Sequence, residues 1–326
     1  MQAVWYDRQG PAADVLQLGE LPDPHAGPGE VRVRIRFSGV NPGDTKKRRG
    51  WLGSSMPYPQ VIPHSDAAGV IDAVGEGVDP SRVGRRVWIY GAQSYRPSGT
   101  AAQLTVVPTQ LAVDLPDSVS DELGACLGIP GITAHRAVFA DGCVTGQTIL
   151  VHGVLGGVAS LAAQLAGWAG ATVIGTVRQE SDLSQVVHPS ITQCIALDQP
   201  DPTAAIRDAA GGGVDRIIEV AFSDNIDLDA AVAGNNTTIA AYATRNDRPD
   251  FPFWPMLFDN ITIRLLGSDD FPAAAKQQAA HDLTTAAREE ALDVPISPPL
   301  ALTEAARAHD NVDTGSRTRV LLVVPD

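Results

Sequence analysis

Residues Thr148 to Gly175 read TILVHGVLGGVASLAAQLAGWAGATVIG. A β-branched apolar run, Thr148 to Val151, leads through His152 to Gly153, Gly156, Gly157 and Ala159. An Ala/Leu-rich segment then runs to Trp168, Gly170 stops it, and a second apolar run covers Ala171 to Gly175. The order is strand, tight glycine turn, helix, strand: one βαβ unit. The turn fits G-x-x-G-x-x-A, with Gly153, Gly156 and Ala159 as fixed points. The first glycine lets the backbone turn sharply. The second lets a pyrophosphate approach the helix N-terminus, whose free N–H groups and dipole favour anions. The third position must be small so that the helix lies close on the strand. An Ala/Gly-rich chain also makes such patterns in ordinary turns. Here the strand before and the helix after supply the context of a dinucleotide site, with Gly153, Val154, Leu155, Gly156, Gly157 and Val158 as its contacts.

Outward from this unit, composition sets the limits. The chain has 326 residues, 44% hydrophobic and 19% charged, which suits a globular protein of two domains. Its net charge of −14 argues against nucleic acid and anionic membrane as partners. The one basic run, Lys46-Lys47-Arg48-Arg49, reads as a solvated helix or loop face. No apolar stretch is long enough to cross a bilayer and no signal peptide is visible. Cys126, Cys143 and Cys194 are scattered and odd in number, so they form neither a disulfide framework nor a metal cluster. The expected compartment is the reducing cytoplasm.

Residues 1 to about 120 read as a β domain. Val31-Arg-Val-Arg-Ile-Arg-Phe37 alternates at period two, and Ala67–Val74 and Val83–Tyr90 are further strands between Gly/Pro turns. From residue 121 the texture changes to alternating strands and helices. Ser120-Asp-Glu122 offers a helix start, and strand candidates are Thr148–Val151, Thr172–Val177, Gln193–Leu197, Asp215–Val220, Asn236–Tyr242 and Ile261–Leu266. That is the pattern of a parallel doubly wound sheet. Phe271 to Ala291 reads as a long amphipathic helix, and Arg319–Val324 as a last strand returning to the first domain.

The chain resembles the medium-chain dehydrogenase/reductase superfamily, and within it the zinc-independent quinone oxidoreductases related to zeta-crystallin. The matching blocks are Gly27-Pro-Gly-Glu-Val31, Gly39-Val-Asn-Pro-Gly-Asp44, Ser65-Asp-Ala-Ala-Gly69, Val74-Gly-Glu-Gly77, Val83-Gly-Arg-Arg-Val87, Gly99-Thr-Ala-Ala-Gln103, Gly128-Ile-Pro-Gly-Ile-Thr-Ala134 and the Gly153 turn. The resemblance runs end to end. It implies an α/β architecture: a GroES-like β-barrel domain over residues 1–120, completed by 268–326, and a Rossmann domain over 121–267, with the active site in the cleft between them. The zinc ligands of relatives fall on Ser38 and Ser65, and serine is a poor zinc ligand. His64 stands where a glycine is common and reads as a neutral or hydrogen-bonded loop histidine. No metal is therefore expected.

The cofactor expected is NADPH rather than NADH. No acid stands at the end of Thr172–Val177 to take the ribose 2′-OH, whereas Arg178 can pair with a 2′-phosphate. Ser181 stands where the family supplies a serine, but the lysine common just downstream is missing. Arg178 as a plain exposed loop residue stays open. The resemblance implies hydride transfer to a quinone or an α,β-unsaturated carbonyl. Thr133 would contact the nicotinamide or its ribose; Asn41 and Asp44 would line the substrate side, or act as helix cap and turn, or both. Candidate pocket residues are Asn41, Trp51, Tyr58, Ser65, Tyr90, Phe253 and Trp254. Two alternatives remain: an enoyl-thioester reductase, disfavoured because Trp51 stands where such enzymes place a tyrosine, and a nucleotide-binding protein with little catalysis. A homodimer is expected through the edge strand Ile261–Leu266, unless the helix at Phe271–Ala291 covers that strand.

Overall fold

The computed structural model describes residues 1–325. The chain divides into two compact units: Gly131–Asp293, and Met1–Pro130 together with the segment from Val294 onward.

The unit Gly131–Asp293 is built on six strands. They are β1 (Thr148–Val151), β2 (Thr172–Val177), β3 (Gln193–Ala196), β4 (Val214–Glu219), β5 (Ala233–Ala241) and β6 (Thr262–Leu265). All neighbours are parallel and the order is β3-β2-β1-β4-β5-β6. This is the order of dinucleotide-binding folds, which reverses direction beside β1. Ile149, Leu150 and Val151 are all fully buried. A central parallel strand is covered on both faces, so a continuous apolar run replaces alternation. Ile174, Ile217 and Ile239 join Leu150 in the core, with Ile206, Phe222, Ile226 and Met256 packed over them.

The unit's boundaries differ from those read in the sequence. The helix expected over 271–291 spans Ala273–Arg288 and buries Ala279, Ala280, Leu283, Ala286 and Ala287. Leu283 lies against Gly131, where any Cβ would come within 3.0 Å of its methyl groups. Gln164 then ties down the segment's end, donating to Asp293 O at 2.8 Å and accepting from Asp293 N at 2.7 Å. Residues 268–293 therefore belong with the parallel sheet, not with the β domain.

The other unit carries a seven-stranded sheet around the long strand Glu30–Val40. That strand pairs antiparallel with Asp66–Val74, with Leu104–Pro108 along its first half and with Val320–Val323 along its second. The C-terminal strand thus enters this sheet, in the register Val320↔Val40 to Val323↔Phe37. Val31, Val33 and Ile35 point into a core with Ile71, Val87, Ile89 and Leu322, as their period-two spacing predicts. Residues 121–130 sit here as well: Ser120 Oγ caps Asp121–Gly124 by accepting from Leu123 N at 3.1 Å. The basic run forms the helix Pro42–Arg49. It is not a uniformly solvated face, because Arg48 is 1% exposed. Among the described residues no helix is long and apolar enough to cross a membrane.

Candidate functional site

The glycine turn after β1 has the features its sequence requires. Gly153 takes φ +67°, which favours glycine, and a Cβ there would press on Val220 at 3.2 Å. Gly156 is the N-cap of the helix Gly157–Trp168, and no side chain caps it. Its first-turn N–H groups are therefore left for solvent or an anion. Gly156 and Gly157 are exposed, whereas Ala159 is fully buried. Gly175, within β2, gives the turn room: a Cβ there would sit 2.8 Å from Val154 Cγ1. These residues fit a dinucleotide pyrophosphate, for the backbone is open, uncapped and at a helix N-terminus. Arg178 and Ser181 are exposed just beyond β2, Ser181 in the short turn Glu180–Gln185.

Behind this turn lies a buried trio that the sequence reading missed. His152 Nδ1 bonds Thr176 Oγ1 at 2.9 Å and its Nε2 bonds Asp229 Oδ1 at 3.0 Å. Glu219 Oε2 is 3.7 Å from the same Nε2. Burial opposes charge on His152, but the bond and charge of Asp229, with Glu219, outweigh it and raise its pKa. Burial holds Glu219 protonated well above the ordinary carboxyl range, against the pull of His152. An acid directly after the apolar pair Ile217-Ile218 of a strand was the available signal.

In the other unit a second polar centre surrounds Ser38, one of the two positions matched to zinc ligands. Its hydrogen-bond directions follow from its ends. Arg48 can only donate, so its Nε–H gives to His309 Nδ1 at 3.3 Å. His309 must then carry its proton on Nε2 and donate it to His64 Nε2 at 2.9 Å. His64 donates through Nδ1–H to Ser38 Oγ at 2.8 Å. Ser38 donates to Thr100 Oγ1 at 2.7 Å, and Thr100 donates to the Asp66 carbonyl at 2.8 Å. His309, His64, Ser38 and Thr100 each accept once and donate once along this chain, and both imidazoles are neutral. Burial pushes His309 down to about 3, helped by Arg48, and drives His64 well below its usual value. His64 is thus the neutral, hydrogen-bonded loop histidine expected, and it is wholly buried. It adopts φ +77°, which explains why a glycine suits the position.

This chain bears on metal. Ser38 Oγ is already engaged by His64 and Thr100, and His64 Nε2 faces His309 rather than an open position. The set does not fit a zinc ion, which takes thiolate, imidazole or carboxylate donors.

Asn41 and Asp44 lie beside this centre, both buried. Asp44 Oδ2 accepts from Asn41 N at 2.8 Å, closing the first turn of Pro42–Arg49. The Asn41 amide turns instead to Asp66, donating to Oδ2 at 2.6 Å, and leaves Asn41 Oδ1 without a partner. Ile129 N binds the other Asp66 oxygen at 2.8 Å. Burial, with the neighbouring Asp66 charge, pushes the Asp44 carboxyl up to about 7. Ser65 is buried next to Asp66.

The aromatic candidates scatter. Tyr90 is core: it is buried, tilts against Trp88 and donates to Gln110 O at 3.4 Å, so it is no open pocket wall. Trp51 is half exposed with Lys46 Nζ 4.6 Å over its ring, and Tyr58 donates to Tyr95 O. Phe253 and Trp254 lie in the helix Phe253–Phe258. Thr133 is buried in the helix Ile129–Phe139.

Comparison with known proteins agrees with these features. The Alcohol dehydrogenase GroES-like domain family matches residues 27–117. Quinone oxidoreductase of Mus musculus is 30% identical over 294 residues, covering 88% of this chain and 86% of that one. The chain belongs to the medium-chain dehydrogenase/reductase superfamily. The Homo sapiens quinone oxidoreductase is 29% identical over 293 residues, with the same coverages of 88% and 86%. A mycobacterial protein complexed with NADPH shares the fold at TM-score 0.83 and 24% identity, over 99% of each chain. This member of the superfamily is a quinone oxidoreductase-like enzyme.

Proposed function

We propose that this oxidoreductase is an NADPH-dependent reductase acting on a quinone or an α,β-unsaturated carbonyl, without a metal. The observation that carries it is the uncapped glycine turn, Gly153 to Val158, in a sheet of dinucleotide-binding order, followed by Arg178 and no acid at the end of β2. The amides of Gly156, Gly157 and Val158 would hold the pyrophosphate. Arg178, with Ser181, would take the 2′-phosphate. The bound nicotinamide would supply a hydride. Thr133 would contact the nicotinamide, and Asn41 the substrate. Asn41 Oδ1 is a buried acceptor with no partner, a group whose desolvation a ligand donor would offset. Asp44 holds a proton near neutrality, as protonation of a reduced conjugated oxygen needs. The filled hydrogen bonds of Ser38 and His64 support metal-free chemistry.

We also infer a homodimer. Among the described residues the edge strand β6 pairs on one side only, with β5, and Leu265 on it is 75% exposed. The helix Ala273–Arg288 leaves that residue uncovered. Phe253, Trp254, Leu257 and Phe258 add an exposed apolar helix to the same unit. Oxidation of NADPH and NADH measured against a panel of quinones, enones and a crotonyl thioester tests the assignment. Turnover of quinones or enones with NADPH is the expected result. Preference for the thioester would make it an enoyl-thioester reductase, and tight binding without turnover a nucleotide-binding protein.

A further inference from the structure

The trio behind the glycine turn has no part in the chemistry proposed above, yet it is placed to influence the cofactor. His152 precedes Gly153 in the chain. Thr176 Oγ1, which bonds the His152 ring, also accepts weakly from Gly153 N at 3.4 Å. Val220, next to Glu219, is the side chain that a Cβ on Gly153 would touch. The three groups come from the ends of β1 and β4 and from the helix Phe222–Val232, and all are fully buried or nearly so.

Their charges do not balance. With His152 protonated and both carboxylates ionised, the trio carries one net negative charge in a dry interior. Among the described residues, no lysine or arginine is among the charges that shift His152 or Glu219. Tyr242, after β5, is a further titratable neighbour, and both burial and Glu219 raise its pKa. The polar partners are Asn225, which donates to Glu219 Oε1 at 3.2 Å and Oε2 at 3.1 Å, and Ala221 N, which donates to Oε1. Asp229 Oδ2 has no partner. Such a cluster keeps a proton on one carboxylate rather than bear the unpaired charge.

We propose that His152, Glu219 and Asp229 form a positioning centre behind the nucleotide turn, whose loss of one proton weakens binding of the anionic dinucleotide. The proposal rests on the reading of the turn as the cofactor site. Unit charges about 10 Å apart at an effective dielectric of about 25–50 give about a three- to tenfold effect on affinity.

The test is fluorescence titration of NADPH, and of NADH, between pH 6 and 9 with the wild type, Glu219→Gln, Asn225→Ala and Gly156→Val. The wild type should lose about three- to tenfold in affinity as pH rises, beyond any change shared with Glu219→Gln. Titration of the ligand's own 2′-phosphate is common to both proteins and cancels. Glu219→Gln, which keeps the shape and cannot ionise, should lack that loss. Asn225→Ala removes donors to the carboxylate, so its break should move to higher pH; this variant decides the matter if Glu219→Gln does not fold. Parallel profiles for the wild type and Glu219→Gln, or an unmoved break in Asn225→Ala, would overturn the proposal alone. Wild-type affinity in Gly156→Val would overturn the cofactor reading and this proposal with it.

Discussion

The directed chain Arg48–His309–His64–Ser38–Thr100 allows one substitution to be predicted in both sign and size. Gln at 309 can reproduce what His309 does: its side-chain oxygen accepts from Arg48 Nε, and its N–H donates to His64 Nε2. Leu at 309 does neither. At pH 8, His309→Gln should therefore cost less than about 1 kcal/mol. His309→Leu should cost about 2–5 kcal/mol, because a buried guanidinium N–H and a buried imidazole nitrogen both lose their partner. A pH effect follows from the same geometry. His309 is depressed to about 3, so the unfolded chain binds the proton first as pH falls. Its contribution to stability is present above the ordinary histidine pKa near 6.5 and is lost as pH falls toward 3. From pH 6.5 to pH 5 that is one and a half units at about 1.36 kcal/mol each, or about 2 kcal/mol. Buried groups with raised pKa, Asp44 among them, drift the other way in the same range, so the wild type alone does not isolate the effect. The difference between wild type and His309→Gln does. Urea unfolding of both proteins at pH 8 and pH 5 reads it, and His309→Gln should gain about 2 kcal/mol on the wild type at the lower pH. If Gln proved as damaging as Leu at pH 8, the assigned donor directions would be wrong. If the difference did not change with pH, His309 would not be the buried neutral group described.

The other expectations concern ligands and assembly. Gly156 has φ −84°, which valine tolerates, so Gly156→Val should stay folded while its side chain shields the amides; loss of NADPH binding with an unchanged melting curve is the expected result. Arg178→Ala should weaken NADPH by about tenfold, the lower end for a charged hydrogen bond because the guanidinium is exposed, and leave NADH nearly unchanged. Equal losses for the two cofactors in titration would remove Arg178 from the 2′-phosphate site. Metal analysis of protein purified without added zinc should find well under one equivalent, and chelators should leave turnover intact. Light scattering at micromolar concentration should give about twice the 34.2 kDa of one chain, and a Leu265→Glu variant should shift it toward one.

What the sequence disclosed and what it hid divide along a physical line. The βαβ unit was legible because each of its requirements is local: an apolar run for a central strand, glycine where φ is positive, alanine where helix meets strand. The strand Val320–Val323 was legible from its apolar run, and the sheet it joins followed from the family resemblance. The buried polar groups were not legible, because their partners are remote. Arg48 meets His309 across 261 residues and His64 meets it across 245, so a basic run that scans as a solvated face hides one arginine that is buried and bonded. Hydrophobic periodicity counts a polar residue as outward-facing, whereas a buried polar residue is admitted only by partners that periodicity cannot name. His152 adjoined the best-read turn in the chain and still went unweighted, since Asp229 and Glu219 reach it from the far side of the sheet's reversal. The domain boundary near residue 267 moved for a related reason. The helix Ala273–Arg288 presents an alanine-rich face that would suit either unit, and the contact deciding its place is a glycine, Gly131, whose missing side chain leaves room for Leu283. Such a choice is made by the shape of the receiving surface, which a residue's own neighbours in sequence do not encode.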